Sequence, residues 1–515
     1  MTTATIVSAI RTESAYQQLL RLAQDAKLIA SSASLLSWDQ ETMMPDGGVE
    51  YRSRQMAMLA KLAHDHLVDP RVGDLLAACE GDRDLMAAPH GDAAANIREI
   101  RRDYDRATKL PSDLVEEMAK TASVAQHEWA AARKESSFSR FKPWLRKNIE
   151  LLRRKAECLG VPRDGEPWDA LADEYEPGMT AAQIETLFTP LRSRLKKLLD
   201  DLLGSSKKPS NAFNEIALPI EAQKKFVRFI AEAIGFDFKR GRLDTSTHPF
   251  CGGTHCNDVR LTTRFHDVNV NDALGSTMHE CGHGIYEQGL LFAHVGTPLG
   301  ESVSLGIHES QSRMWENQVG RSLPFWKWLY PKLGEFFGSA TKGLSLEDVY
   351  GGANVVEPGF IRVEADEATY NMHIMIRFEL ERAILRGDLD VDDIPETWNA
   401  KYKDYLGLTV PDDRRGCLQD VHWSSASMGY FPTYTLGNLY AAQIFEKVMQ
   451  EIPDLHRQFE KGKFDDLRHW LNRNIHAHGR RYLPDELCQR VTGKPLSADP
   501  LMRHLEGKLR PLYGA

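Results

Sequence analysis

The residues whose spacing points most directly to chemistry are Met278-His279-Glu280-Cys281-Gly282-His283-Gly284. On a helix, positions i and i+4 lie about 40° apart around the axis, so His279 and His283 leave the same face. Two neutral imidazoles suit zinc. Glu280 sits beside the first histidine, where its carboxylate can reach a metal-bound water without binding the metal. The chemistry implied is metal-assisted hydrolysis. Two histidines on a solvated helix face would give the same pattern by chance, so a third ligand is required. A third histidine on the same stretch would need Gly at 286 and His at 289, but Tyr286 and Gly289 stand there. The other solution is a glutamate on a later helix. Gly306-Ile307-His308-Glu309-Ser310-Gln311-Ser312 offers Glu309, with Glu301 and Glu316 competing. Three protein ligands leave the fourth position for water, as a catalytic site needs.

Helices must position these residues. Thr180-Ala181-Ala182-Gln183 has the form of a capping box, and Ile184, Leu187, Phe188, Leu191, Leu195, Leu198 and Leu202 follow three or four apart, with a kink expected at Pro190. Leu110-Pro111-Ser112-Asp113 opens another helix, and residues 364–386 and 437–451 also read as helical. The stretch 257–270 partly alternates and is expected to be a short strand or hairpin arm whose exposed edge pairs with extended substrate. Segments at 251–253, 351–352 and 358–359 are expected to be irregular connections around a cleft. The fold class is therefore mainly α with one small sheet.

Composition excludes other classes. The 515 residues are 42% hydrophobic and 27% charged, ordinary for a globular protein able to bury a core. A net charge of −9 argues against nucleic acid as a partner. The basic group Arg192, Arg194, Lys196 and Lys197 reads as a solvated helix face. No apolar run is long enough to span a membrane. The seven cysteines are odd in number and scattered, which suits a reducing compartment better than a disulfide framework. With no basic and apolar leader at Met1-Thr2-Thr3-Ala4-Thr5-Ile6, a cytoplasmic location is expected.

At this point the chain resembles the carboxypeptidase Taq family of metallocarboxypeptidases. The resemblance rests on His279-Glu280-Cys281-Gly282-His283, His308-Glu309-Ser310-Gln311, Asp258-Val259-Arg260-Leu261-Thr262, Ile361-Arg362-Val363-Glu364-Ala365-Asp366, and Gly416-Cys417-Leu418-Gln419-Asp420-Val421-His422-Trp423. Flanking stretches are similar too: Trp38-Asp39-Gln40-Glu41-Thr42, Tyr175-Glu176-Pro177-Gly178 and Leu243-Asp244-Thr245-Ser246-Thr247-His248-Pro249-Phe250. The resemblance implies that Glu309 is the third ligand. It implies one catalytic domain over 1–515, a large helical saddle with a deep groove and a small sheet beside the zinc helix, and an N-terminal helical subregion over about 1–175 covering the groove. It also implies a cytoplasmic homodimer that takes peptides with a free C-terminus, removes single C-terminal amino acids with broad preference but acts poorly on proline, and holds one divalent metal per chain, zinc or alternatively cobalt.

Roles follow residue by residue. Glu280 is the expected general base. Helical zinc peptidases similar to this family place a His and a Tyr where the transition-state oxyanion forms, which assigns His422 and Tyr430, with Tyr434 in reserve. The alternative for each tyrosine is core packing with a satisfied hydroxyl. A free C-terminal carboxylate is best held by the planar fork of an arginine. Arg362 is the first choice for it, while Arg260 either shares the task or pairs with Asp258. His248 and His255 face substrate or are structural, His476 and His478 are structural, and Asp366 is a candidate to orient a ligand histidine through its second nitrogen. The alternatives that remain are a helical zinc oligopeptidase or dipeptidyl carboxypeptidase and, from another class, an inactive binding protein, against which the retained Glu280 argues.

Overall fold

The computed structural model describes residues 13–515, and helices form its frame. At the N-terminal side α1 (Ala15–Thr42) and α2 (Val49–Leu67) pack along each other, and α3 (Pro70–Gly81) and α4 (Asp92–Thr108) follow. This part has a small core of its own, made of Leu19, Val72, Leu76, Cys79, Ile97 and Ile100. α5 (Ser112–Glu135), α6 (Phe138–Leu159) and α7 (Ala181–Gly204) come next. In α7 the Thr180–Gln183 capping box forms, Ile184, Phe188, Leu191, Leu195, Leu198 and Leu202 are buried, and the helix runs through Pro190 without a break.

The sheet has three strands, β1 (Gly241–Thr245), β2 (Cys251–His255) and β3 (Asp258–Thr263), in the order β1-β3-β2. β1 runs parallel to β3, and β2 antiparallel. The strand expected within 257–270 forms, as a hairpin arm against β2, but its extent and its exposed edge are corrected. Only 258–263 is strand, and it lies in the centre with both edges paired, so it has no free edge to offer. The segment 251–253 is likewise strand and not an irregular connection, because Gly253 takes φ 142 in a hairpin so tight that a Cβ would meet the Asp258 carbonyl oxygen at 2.1 Å. Gly351 and Gly352 end a helical turn, Leu346–Gly352.

Beyond the sheet lie α8 (Val270–Gly289), α9 (Leu305–Arg313) with a π-helical continuation over Met314–Gly320, α10 (Tyr370–Arg386) and α11 (Pro432–Glu451). α10 starts later than the periodicity suggested. The Asp366 carboxylate accepts the backbone N–H groups of Ala368 and Thr369 and so holds the preceding turn outside the helix. α11 starts earlier, because Pro432 at its first turn loses no hydrogen bond there. The sheet packs on α8, where the Thr263 and Ser276 hydroxyls are 2.7 Å apart. One continuous apolar core joins α6–α11 to the sheet. All seven cysteines are unpaired. No helix among the described residues is long and apolar enough to cross a membrane.

Candidate metal centre and active site

α9 lies between α8 and α11, and two glycines set how close it comes. A Cβ on Gly282 would lie 2.5 Å from the Gln311 carbonyl oxygen of α9, and one on Gly437 of α11 would lie 2.5 Å from the Glu309 Cγ. Larger residues at either position would push α9 away. The histidine motif therefore has Gly at one of its two middle positions, and the other, Cys281, is fully buried packing.

This packing brings His279, His283 and Glu309 together, with one donor atom from each within 4.8 Å of the others. Glu309 Oε2 is 3.5 Å from His279 Nε2 and 3.4 Å from His283 Nε2. The opposite nitrogens are engaged elsewhere. His279 Nδ1 is 2.9 Å from Glu316 Oε2. His283 Nδ1 meets His308 Nδ1, and His308 Nε2 is 2.7 Å from Glu287 Oε1. A carboxylate only accepts, so each chain fixes a tautomer: Nδ1–H of His279 donates to Glu316, while Glu287 takes the His308 Nε2–H and leaves His308 Nδ1 to accept from His283. Both candidate ligand histidines then turn Nε2 towards Glu309. Of the competing glutamates, Glu316 thus stands behind His279, and Glu301 is paired with Lys27 and Arg480. Asp366 does not orient a ligand histidine, because its oxygens are taken by the backbone N–H groups of Glu357, Ala368 and Thr369 and by the Thr369 hydroxyl.

The electrostatics suit a cation. Burial opposes the charge on Glu309, but Arg313 and His279 outweigh it and hold the carboxyl well below its ordinary value, with Arg313 Nε 2.7 Å from Glu309 Oε1. Burial, with His308 beside it, pushes His283 down to about 3, so its imidazole is neutral. Burial also works against the His279 imidazolium, yet Glu309 and the Glu316 hydrogen bond prevail and raise its pKa. An ionised carboxylate and two oriented imidazoles around a point that attracts positive charge fit a divalent metal with an open position. Glu280 lies between the histidines and is 5% exposed. Burial pushes its carboxyl up to about 7, with His279 opposing and Glu309 adding to the shift.

His422, Tyr430 and Tyr434 form one aromatic cluster. The His422 and Tyr430 ring centroids are 5.2 Å apart, those of Tyr430 and Tyr434 5.4 Å, and His422 Nε2 is 3.4 Å from the Tyr434 hydroxyl. Tyr434 stands one turn before Gly437 on α11, which carries the cluster to the Glu309 side of α9. Burial, followed by the Arg362 and Arg377 guanidiniums, lowers His422 to about 4 against the pull of Asp420, and its Nδ1 is buried without a partner among the described residues.

Arg362 is buried beside this cluster. Its Nε donates to Asp420 (2.9 Å), its guanidinium donates to the Tyr370 hydroxyl (3.0 Å), and it lies 4.9 Å from the Tyr434 ring centroid. Asp420 also takes a hydrogen bond from Arg377. Arg260 pairs with Asp258 and lies over Trp38 of α1, as does Arg242 of β1, which ties α1 to the sheet. His248 is exposed in the turn before β2. His255 lines a groove of about 790 Å³ that runs between α1 and β2 and reaches His308 and Glu287. His476 is buried against Asn472 and Gln311.

The reading of the sequence missed Arg313 and Glu287 altogether, and it named Glu316, His308 and Glu176 without the roles they have here. Glu287 was within reach, since it continues the 279–283 spacing by one more turn. Glu176, from the segment before α7, accepts the Gly306 N–H (2.9 Å) and the Tyr440 hydroxyl (3.1 Å) and so braces α9 against α11. No spacing rule links residues so far apart in the chain.

Residues 18–509 match the Carboxypeptidase Taq (M32) metallopeptidase family. Thermostable carboxypeptidase 1 of Thermus thermophilus is 47% identical over 98% of this chain and 99% of its own length, and carboxypeptidase 1 of Bacillus subtilis is 36% identical over 94% and 96%. The crystal structure of the M32 carboxypeptidase from Deinococcus radiodurans superposes with a TM-score of 0.93 at 39% identity, covering 97% of this chain and 100% of that one. A helical frame with a His-Glu-x-x-His helix and a glutamate donor on the next helix defines a metallopeptidase, and this chain belongs to the carboxypeptidase Taq (M32) family of metallocarboxypeptidases.

Proposed function

We propose that this metallocarboxypeptidase uses zinc, held by His279, His283 and Glu309, to release single C-terminal amino acids from peptides. The observation that carries the reading is the meeting of those three donors within 4.8 Å, with Glu280, next to His279 in the chain, buried. The chemistry such a metal supplies is Lewis acidity, which polarises a carbonyl and acidifies a water. Glu280 takes the proton of the attacking water on its carboxylate and later returns it to the leaving amine. His422 and Tyr430, with Tyr434 behind them, donate hydrogen bonds to the developing oxyanion, each worth about 2.7–4 kcal/mol in enzymes where such donors have been removed. Arg362 binds the terminal carboxylate, and Arg260 and His248 contact the rest of the peptide. α1, with the helices that follow it, covers the groove.

Broad preference with poor action on proline, and a homodimeric state, follow from the family resemblance. Unpaired cysteines throughout support a reducing, cytoplasmic setting. The test is metal analysis together with product analysis on N-blocked peptides of varied C-terminus. About one zinc per chain and release of single amino acids are expected. Release of dipeptides would favour a dipeptidyl carboxypeptidase, and internal cuts an oligopeptidase.

A further inference from the structure

His422 and Tyr430 are separated by the loop Trp423–Gly429, in which Ala426 takes an unfavourable φ of 56 and Gly429 takes φ 98, a region open to glycine. A non-glycine residue in the left-handed region persists only where its surroundings hold it. Two side chains from outside the loop do so. Asn148 of α6 donates to the carbonyl oxygens of Trp423 and Ser424, both at 3.0 Å. Glu381 of α10 accepts from the loop at both ends, taking the Trp423 indole N–H on Oε1 at 3.0 Å and the Gly429 backbone N–H on Oε2 at 2.9 Å. Its Oε2 also takes the Trp168 indole N–H, at 3.2 Å.

We propose that Glu381 is a positioning residue, whose carboxylate gathers the two ends of this loop and thereby sets the spacing of His422 and Tyr430 over the reaction centre. Each gripped residue is the chain neighbour of one of the pair: Trp423 follows His422, and Gly429 precedes Tyr430. Glu381 is fully buried, and all three of its partners are N–H donors. Burying such a carboxylate is costly, and an apolar side chain of that size would fill the same space without the penalty. The nearby Arg377 does not explain it either, because that guanidinium is committed to Asp420. What a carboxylate does here that an apolar residue does not is accept from both loop ends at once. Gly429 leaves no slack at its end, since a Cβ there would lie 2.9 Å from the Ala172 Cα.

The proposal rests on His422 and Tyr430 being the oxyanion donors, and the experiment separates the two ideas. Glu381→Gln, Trp423→Phe, Trp168→Phe, His422→Ala and Tyr430→Phe are each measured for metal content, Tm, kcat and KM on a free-acid peptide. An amide in place of the carboxylate turns an N–H towards an N–H. Glu381→Gln is therefore expected to lower kcat roughly 100-fold, the order of loss that a small misplacement of reacting groups brings, with one metal still bound and KM little changed. Trp423→Phe, which removes only the loop-side bond, lowers kcat in the same sense. Trp168→Phe, which removes only the bond to the scaffold, lowers Tm and leaves kcat near wild type. The tryptophan pair carries the test if Glu381→Gln does not fold. Wild-type kcat in Trp423→Phe, or equal kcat losses in the two tryptophan variants, overturns the positioning role. If His422→Ala and Tyr430→Phe lose kcat while Glu381→Gln keeps it, the positioning role alone falls. If those two variants keep wild-type kcat, the donor reading falls and the positioning role falls with it.

Discussion

Gly437 of α11 is packed against Glu309 of α9 so closely that a single added methyl would lie 2.5 Å from the Glu309 Cγ. The third donor of the candidate metal centre therefore owes its position to the absence of a side chain on a different helix. Gly437→Ala is expected to displace Glu309 and weaken metal binding about 10- to 100-fold, the range seen when groups supporting metal ligands are altered. Competition with a chelator reads this directly, and wild-type affinity would show that α9 has room to move.

Glu280→Gln is expected to retain the metal, since the three donors are untouched, and to lose about 100- to 10,000-fold in kcat, the contribution typical of a positioned proton carrier. Metal content and single-turnover rates on one preparation test both halves. Near-normal turnover would remove Glu280 from the role of base.

The two histidines of the candidate metal centre could be read in the sequence because helical spacing ties His279 to His283 by geometry alone, whereas Glu309 was singled out from Glu301 and Glu316 only by the family resemblance. The capping box at Thr180 and the apolar face from Ile184 to Leu202 were legible for the same local reason. What was not legible depends on tertiary contact. β1 and β2 are short and rich in glycine or charge, and they become strands only by pairing with β3. Residue type made Arg362 a candidate carboxylate binder, but its pairing with Asp420, and of Asp420 with Arg377, joins segments that no periodicity connects. Glu316 was read only as a rival ligand and Glu176 only as part of a family-like stretch, because the role of each depends on a partner brought near by packing, not by sequence spacing.

Glu176 leads to a prediction for pH. Burial raises its carboxyl from 4.5 to about 7, while the Gly306 N–H and the Ser304 and Tyr440 hydroxyls oppose the rise. A carboxyl whose pKa is higher in the folded chain stabilises the fold fully below the unfolded value and loses that contribution as pH rises through the folded one. Between about pH 4.5 and 7 this group alone is expected to withdraw roughly 3 kcal/mol, because each tenfold change in proton affinity is worth about 1.4 kcal/mol. Glu381, also raised to about 7 by burial, acts in the same direction. Glu176→Gln should therefore flatten part of the fall in stability across this window. Denaturant unfolding at several pH values compares the slopes, and parallel slopes for variant and wild type would refute the assignment.

Arg362 gives the prediction that bears most on exopeptidase action. If its guanidinium receives the substrate's terminal carboxylate, amidating the peptide should remove most cleavage by the wild type, and Arg362→Ala should harm free-acid peptides far more than amidated ones. Deleting one partner of a buried charge-assisted pair typically costs about 2–5 kcal/mol, so kcat/KM on free-acid peptides should fall roughly 30-fold or more. Arg362→Lys should rescue little, because an ammonium lacks the planar fork. The competing role is structural. Arg362 holds Asp420 and the Tyr370 hydroxyl, and Asp420 lies two residues before His422. An arginine that only held this segment in place would, when removed, lower Tm and reduce activity on both kinds of peptide alike. The ratio of free-acid to amidated kcat/KM thus separates the two, since a structural loss cancels in the ratio and a lost carboxylate contact does not. An unchanged ratio in Arg362→Ala would move the carboxylate to Arg260, whose guanidinium is already shared between Asp258 and the Trp38 ring. There the Arg260→Ala variant should collapse the same ratio.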